Sequence, residues 1–206
     1  MVQAIIFDLG DVFLNKNPEA QRRALAALGL TDWDSELQKL ERRFEVGAMS
    51  REYFIKTLQQ RTNNASESEI ADAWNASIGD FPLKRLEFLQ KLSENYRLFL
   101  LSNTDSIHIE KFEHDTGSSF YGDFYQCFEK VYYSHETGVR KPDAEAFNML
   151  IKNHNLHPKR TLMVDDKKAN TDVAEALGMK VWTLLKEEED VTQLFDRPIF
   201  SLEKSA

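Results

Sequence analysis

Short apolar runs recur along the chain, and each is bounded by polar or charged residues. They cover 4–7, 97–101, 161–164 and 180–185, with a weaker run at 131–133. Runs of this length without polar alternation are typical of strands that are buried on both faces. Stretches with helical spacing of apolar residues separate them, as at 82–94, 143–154 and 169–177. Strands that alternate with helices predict an α/β fold with a doubly wound parallel sheet.

The segment after the first run has a different pattern. No strand is predicted between about 15 and 80, and four helical stretches follow one another at 17–29, 33–46, 50–61 and 66–75. Asn17 with Pro18, Ser50 and Ser66 are residue types that begin helices. The sequence therefore predicts a core formed by 1–14 and 82–206, with a helical domain, 15–81, inserted after strand 1.

Composition narrows the classes of partner. The 206 residues carry a net charge of −8, 42% of them are hydrophobic, and no lysine or arginine tract is present. Nucleic acid and anionic membrane are therefore poor partners. No apolar run is long enough for a membrane span, the N-terminus lacks a signal-peptide pattern, and Cys127 is the single cysteine. We expect a cytoplasmic protein that is a monomer or a weak homodimer.

Polar residues that can do chemistry follow three of the apolar runs. Asp8 follows the first, Ser102 and Asn103 follow the second, and Asp165 with Asp166 follow the third. In parallel sheets, ligands bind beyond the carboxyl ends of the strands. These side chains are therefore predicted to meet at one edge of the sheet.

The carboxylates fit a nucleophile and a metal site. Asp8 could attack phosphorus and form an acyl phosphate, although an aspartate after a strand is also a common loop or capping residue. Asp166 could bind Mg²⁺ opposite Asp8, since this ion takes oxygen ligands. Asp165 would contribute through a water or by holding Asp166. Alternatively, the two adjacent acids only begin a helix.

The remaining candidates would bind a phosphoryl group. Ser102 and Asn103 could donate hydrogen bonds to a phosphoryl oxygen, with the Asn103 backbone N–H helping, or they could form an ordinary turn. Lys141, fixed by Pro142 and the helix that follows, would neutralise charge between Asp8 and that group. A solvated lysine is the alternative. Positioning and charge compensation are what phosphoryl transfer requires.

These segments together resemble the motifs of the haloacid dehalogenase superfamily. They are Phe-Asp-Leu-Gly-Asp-Val at 7–12, Leu-Ser-Asn-Thr at 101–104, Arg-Lys-Pro at 140–142, and Val-Asp-Asp at 164–166 with Asn170. The chain is most similar to the Mg²⁺-dependent phosphatases of the branch that contains α-D-glucose-1-phosphate phosphatase and the phosphatase domain of soluble epoxide hydrolase. The resemblance implies a Rossmann-like core with a helical cap.

The same resemblance implies the roles of individual residues. It makes Asp8 the nucleophile, Ser102 a phosphate ligand, Lys141 a charge anchor and Asp166 a metal ligand. The backbone carbonyl of Gly10 would be a further ligand of Mg²⁺. Asn170 stands where many members have an aspartate, and it could hydrogen-bond Lys141 or a metal-bound water.

One position departs from the family pattern. Most family phosphatases have an aspartate two residues after the nucleophile as general acid and base, and here that residue is Gly10, with Asp11 one position later. Such help is typically worth about 10²–10⁴-fold in rate. Three interpretations are open: the substrate has a good leaving group, such as an anomeric sugar phosphate; Asp11 reaches in through a shifted turn; or turnover is poor. Glycine at this position in the resembled branch favours the first.

The sequence predicts Mg²⁺-dependent hydrolysis of a small phosphorylated metabolite, with a sugar phosphate favoured, through an aspartyl-phosphate. One alternative is a weakly active or non-enzymatic phosphate-binding protein. A haloacid dehalogenase is the other, and it is disfavoured because that chemistry needs no metal and would leave Asp165 and Asp166 without a purpose.

Overall fold

Five parallel strands form one sheet in the computed structural model, which describes residues 1–201. The strands are β1 (Ala4–Phe7), β2 (Arg97–Ser102), β3 (Lys130–Tyr133), β4 (Thr161–Asp165) and β5 (Lys180–Thr183), in the order β3-β2-β1-β4-β5. The predicted α/β, doubly wound parallel fold is confirmed.

The register of the central strands decides where the site lies. Phe7 at the end of β1 pairs with Leu100 in β2 and with Val164 in β4. The residues just beyond these pairs therefore emerge at the same edge of the sheet. Asp8, Ser102 and Asp165 are brought together there, as the sequence predicts.

Helices cover both faces of the sheet. One face packs on the first two helices of the core and on the C-terminal segment through side chains such as Leu86, Phe112 and Leu194; the other packs on two later helices through Phe147 and Ala174. The core helices are α5 (Leu83–Ser93), α6 (Ser106–Gln126), α7 (Ser134–Thr137), α8 (Ala144–Asn153), α9 (Lys168–Ala176) and α10 (Pro198–Ser201).

The helical insertion has a hydrophobic cluster of its own. Buried side chains such as Phe54, Ile70 and Trp74 pack together in it, joined by Ile107 from α6. The helices are α1 (Pro18–Ala27), α2 (Ser35–Glu45), α3 (Arg51–Gln59) and α4 (Glu67–Asn75).

The predicted helix starts at Asn17, Ser50 and Ser66 are confirmed, because each side chain accepts a backbone N–H of the first turn. For α2 the cap is Asp34, so this helix begins slightly later than its predicted range.

Two short linkers join the insertion to the core and lie side by side. Asn15 N–H donates to the Asp80 carbonyl at 2.9 Å, and Gly79 N–H donates to the Asn15 carbonyl at 2.9 Å. A Cβ at Gly79 would lie only 2.7 Å from that carbonyl oxygen, so the close approach of the linkers requires glycine. Lys16 forms an antiparallel bridge with Ile78. Among the described helices, none has both the length and the apolar character to cross a membrane.

Candidate active site

Three carboxylates meet at the carboxyl edge of the sheet. Asp8 follows β1, Asp165 ends β4 and Asp166 follows it, and their nearest oxygens all lie within 4.8 Å of one another. Asp8 and Asp165 are buried. Three acids this close repel one another unless cations compensate them.

Lys141 supplies one compensating charge. Its side chain is fully buried, and its Nζ lies 3.0 Å from Asp8 Oδ1 and 2.5 Å from Asp165 Oδ2. Burial lowers the pKa of Lys141, but the charges of Asp8 and Asp165 outweigh it, so the pKa lies above its usual value. The Lys141–Pro142 peptide bond is cis. Lys141 is thus a charged, fixed group beside the candidate nucleophile, and the alternative of a solvated lysine does not hold.

Asp165 is occupied by hydrogen bonds on both oxygens. Oδ1 accepts the Lys167 N–H and the Asn170 amide, each at 2.9 Å, and Oδ2 accepts the same amide at 3.0 Å besides the Lys141 ammonium. We expected Asp165 to act through a water or to hold Asp166, and we expected Asn170 to bond Lys141 or a metal-bound water. The structure instead places Asn170 on Asp165, and Asp165 on Lys141.

Asp166 differs from its neighbour. Its Oδ1 is buried without a hydrogen-bond partner among the described residues. Burial, followed by the charge of Asp8, raises the pKa of Asp166 to about 6. A buried oxygen that lacks a donor normally marks a missing partner. Since carboxylate oxygens are the ligands that Mg²⁺ takes, the donor set of Asp8 and Asp166 fits this ion.

Ser102 and Asn103 make different contacts. Ser102 lines the cavity above the carboxylates. The Asn103 side chain is bonded to the backbone of Lys141, because its amide donates to the Lys141 carbonyl at 2.7 Å and its Oδ1 accepts the Lys141 N–H at 2.9 Å. The side-chain amide therefore positions Lys141, which differs from our expectation that it would donate to a phosphoryl oxygen.

The Asp11 carboxylate contacts Lys16 and Lys186. The residue has a positive φ of 57°, its Oδ1 accepts the Lys16 N–H at 3.0 Å, and its Oδ2 lies 3.0 Å from the Lys186 ammonium. A carboxylate with both oxygens bonded in this way fixes the loop after β1. The possibility that Asp11 replaces the general acid through a shifted turn finds no support in these contacts.

A cavity of about 280 Å³ lies between this edge of the sheet and the helical insertion. Its floor is formed by Asp8, Ser102 and Asp166. The insertion and its linkers contribute further lining residues, which are Lys16, Pro18, Gln21, Glu41, Glu45, Trp74, Ser77 and Ile78. A small molecule that reaches Asp8 is therefore enclosed by both parts of the chain.

A buried polar network joins the insertion to the core at this cavity. Asp105 caps the start of α6, and it accepts the Trp74 indole N–H at 3.0 Å and the His108 Nδ1–H at 3.0 Å. His108 Nε2 lies 3.1 Å from the Trp74 carbonyl, and the two rings stack. Burial raises the pKa of Asp105, but His108 and the other donors lower it further, to about 2. Our sequence reasoning missed Asp105 and His108, whose only local signal is an aspartate before a helix.

Lys16 was also missed by the sequence reasoning. It lines the cavity beside Gly10, and its stem lies where a side chain at that position would be, with Cγ 3.4 Å from the place of a Cβ. Burial holds the pKa of Lys16 below its usual value; the charge of Lys167 adds to this effect, and the charges of Asp105, Asp11 and Asp8 oppose it. Nothing in the local sequence indicates this approach, because the chain turns back on itself between Gly10 and Lys16.

Comparison with known proteins gives relatives that span nearly the whole chain. The chain is 28% identical to D-ribitol-5-phosphate phosphatase of Bacteroides thetaiotaomicron over 188 residues, which are 88% of this chain and 91% of that protein. A solved structure of a haloacid dehalogenase (HAD) family enzyme from the same organism, in complex with magnesium and inorganic phosphate, superposes with a TM-score of 0.84 at 28% identity. The match covers 95% of this chain and all of that one.

A third relative comes from Porphyromonas gingivalis. The structure of a predicted HAD-like family hydrolase from this organism has a TM-score of 0.79 at 26% identity, and the match covers 99% of this chain and 98% of that one. The family of haloacid dehalogenase-like hydrolases matches residues 2–178. The match includes the site residues after all three strands together with Lys141, so the chain belongs to the haloacid dehalogenase-like hydrolases.

Proposed function

We propose that this protein is a Mg²⁺-dependent phosphatase that hydrolyses a phosphorylated sugar or polyol through an aspartyl-phosphate on Asp8. The unpartnered, buried Oδ1 of Asp166 carries this proposal, because Asp166 belongs to a group of three carboxylates, with Asp8 and Asp165, that have oxygens within 4.8 Å of one another. Lys141 compensates only part of the negative charge there. A divalent cation would offset the rest, and it would also attract the anionic phosphoryl group.

The metal would be held by Asp8, Asp166 and the backbone carbonyl of Gly10. When bound, Mg²⁺ supplies positive charge that offsets the phosphoryl oxygens and the approaching carboxylate. Asp165 is not needed as a ligand, since its oxygens already hold Lys141 and Asn170.

The protein residues divide the chemistry among them. An Asp8 carboxylate oxygen forms a bond to phosphorus as the bond to the leaving oxygen breaks. The Ser102 hydroxyl and the Asn103 N–H donate to a phosphoryl oxygen, and the Lys141 ammonium offsets its charge. Water then attacks the acyl phosphate, so Asp8 is regenerated and inorganic phosphate is released.

The cavity supports a polyhydroxylated leaving group. Its insertion side offers Gln21, Glu41 and Ser77, whose side chains accept or donate hydrogen bonds, and its volume of about 280 Å³ suits a small metabolite. The action of a relative on D-ribitol 5-phosphate favours pentose and pentitol phosphates as the first compounds to test. On this proposal α1–α4 form a cap domain over residues 15–81 that excludes water from Asp8.

A phosphate-binding protein with little turnover is the second candidate, and Gly10 favours it because this residue brings no acid to the leaving group. A dehalogenase is disfavoured, since the buried Oδ1 of Asp166 would then be left without a partner.

The test is phosphate release from a panel of sugar and alditol phosphates, with Mg²⁺ and with a chelator. We expect release with Mg²⁺ only, and loss of release in Asp8→Asn. Full activity in chelator, or retained activity in the variant, contradicts the proposal. Phosphate binding without release from any compound favours the second candidate.

A further inference from the structure

Lys16 fills the space beside a residue that has no side chain. Gly10 stands two residues after Asp8, and a Cβ built on it would lie 3.4 Å from Lys16 Cγ and 3.7 Å from Lys16 Cδ. Gly10 is not in the left-handed region of φ, so its backbone would accept another residue. The lysine stem therefore occupies the volume that a side chain at position 10 would take.

The backbone of Lys16 is fixed while its ammonium is left without a partner. Its N–H donates to Asp11 Oδ1 at 3.0 Å, and the residue bridges to Ile78 in the other linker. Over residues 1–201 we find no hydrogen bond or ion pair of its ammonium, although the charges of Asp105 and Asp8 act on it. A lysine held in this way has a donor to spare inside the cavity.

The in-line geometry of attack by Asp8 places the leaving group toward the insertion, from which Lys16 enters the cavity. In phosphoryl transfer the attacking and leaving oxygens lie roughly in line. Because Asp8 attacks from the sheet edge, the leaving oxygen points away from the sheet, toward the insertion. Two lysines line the cavity within the described residues, and Lys167 belongs to the floor, directly after Asp166. Lys16 enters the cavity from the linker that bridges to Ile78, and its stem lies beside Gly10.

We propose that Lys16 is the catalytic residue that donates to the leaving-group oxygen, in place of the acid that Gly10 lacks; this inference rests on the proposed phosphatase function. Asp8 forms the new bond to phosphorus, the bond between phosphorus and the leaving oxygen breaks, and its electron pair stays on that oxygen. The Lys16 ammonium gives this oxygen a proton, so an alcohol departs and an amine remains. Water that attacks the acyl phosphate then gives a proton to the amine, which restores the ammonium.

This role extends the range of substrates. Without a donor, only good leaving groups such as an anomeric oxygen or a phenolate depart readily. With Lys16 as donor, esters of ordinary alcohols, including alditol phosphates, are within reach. General acid help of this kind is worth about 10²–10⁴-fold for a poor leaving group and much less for a good one.

The experiment compares two leaving groups in wild type and Lys16→Met, with Mg²⁺ present. The substrates are p-nitrophenyl phosphate and the best alditol phosphate of the panel. We expect kcat/KM of Lys16→Met to fall by about 10²–10⁴-fold on the alditol phosphate and by less than about tenfold on p-nitrophenyl phosphate. Lys39→Met, which removes an exposed lysine of α2, is the matched control and should match wild type on both.

A second variant protects the test against a folding defect. Lys16→Ala opens the space beside Gly10, so Gly10→Asp combined with Lys16→Ala should recover part of the lost alditol phosphate activity. Gly10→Asp alone is crowded by the lysine stem and should not exceed wild type. Recovery in the double variant is not expected if Lys16 only supports the fold.

The outcomes separate the two proposals. Equal losses on both substrates in Lys16→Met, with no recovery in the double variant, overturn the role of Lys16 and leave the phosphatase function standing. No phosphate release by wild type from either substrate overturns the proposed function and the inference with it. A loss confined to the alditol phosphate supports both.

Discussion

Asn103 and Lys141 hold each other through two hydrogen bonds. The Asn103 amide donates to the Lys141 carbonyl at 2.7 Å, and the Lys141 N–H donates to Asn103 Oδ1 at 2.9 Å. The pair links the end of β2 to the segment before α8, two parts of the chain 38 residues apart. Together with Asp165, which binds the ammonium, Asn103 fixes both the backbone and the side chain of the lysine beside Asp8.

We expect Asn103→Ala to lower kcat by about 10–100-fold with a smaller change in KM, because Lys141 loses its backbone support while the substrate contacts remain. Two buried backbone groups also lose their partner, which costs about 1–3 kcal/mol of unfolding free energy. Steady-state kinetics and urea denaturation measure these effects. Asn153→Ala, at an exposed position of α8, is the control, and an unchanged kcat in Asn103→Ala contradicts the role.

Asp8→Asn should abolish phosphate release, by about 10⁴-fold or more, because an amide cannot attack phosphorus as a carboxylate does. The fold should survive, since the variant removes one of three crowded negative charges. Phosphate assays and circular dichroism check both parts, with the exposed Asp32→Asn as control. Residual release near the wild-type rate is the outcome that rules out Asp8 as nucleophile.

Lys141→Met should destabilise the metal-free protein by about 3–5 kcal/mol, because it leaves the buried carboxylates of Asp8 and Asp165 without a compensating cation. Lys168→Met breaks an exposed ion pair with Asp172 and should cost at most about 1 kcal/mol. Urea denaturation of both variants gives the comparison. Similar losses for the two would show that the buried pairing contributes no more than a surface one.

Magnesium should raise the melting temperature of wild type, and Asp166→Asn should remove most of this rise, because binding to the folded state alone stabilises it. Without metal, Asp166→Asn should be at least as stable as wild type, since it removes a half-buried negative charge that lies close to Asp8. Thermal melts with Mg²⁺ and with chelator test both the rise in wild type and the stability of the metal-free variant. Equal shifts in wild type and Asp166→Asn would place the metal elsewhere.

The stability of the metal-free protein should depend on pH because of Asp166. The pKa of Asp166 is raised to about 6 in the folded state. The folded protein therefore binds more protons than the unfolded chain between about pH 4 and 6, and its stability falls as pH rises through this window. Denaturation at several pH values should show this component in wild type and not in Asp166→Asn. Its persistence in the variant would assign it to another group.

Asp105 should contribute stability that changes with pH in the direction opposite to that of Asp166. Its pKa is lowered to about 2 in the folded state, so the contribution is present above about pH 4 and is lost as pH falls toward 2. Asp105→Asn should lower the free energy of unfolding by about 3 kcal/mol at pH 7, because His108 and Trp74 lose their acceptor. The difference from wild type should shrink at pH 3. A difference that does not change with pH would contradict the ionic role.

Much of the fold follows from local patterns in the sequence. Short apolar runs predict β1, β2, β4 and β5, because strands buried on both faces cannot carry polar side chains. The helix caps at Asn17, Ser50 and Ser66 are likewise local, since a cap needs only a backbone N–H two or three residues away. The longest helix, α6, was not predicted: it has 21 residues and a non-helical Gly117 inside it, so its apolar positions follow no single period.

The order of apolar and polar residues along the chain shows which reactive groups follow the strands, and it predicts that Asp8, Ser102, Asp165 and Asp166 share one edge of a parallel sheet. What each of these residues contacts is set by the packing of the folded chain. This packing placed Asp165 on Lys141, 24 residues away, Asp105 on Trp74, 31 residues away, and the stem of Lys16 beside Gly10. Contacts of this kind depend on how separate elements pack and on the exclusion of water between them, and spacing along the chain carries no record of either.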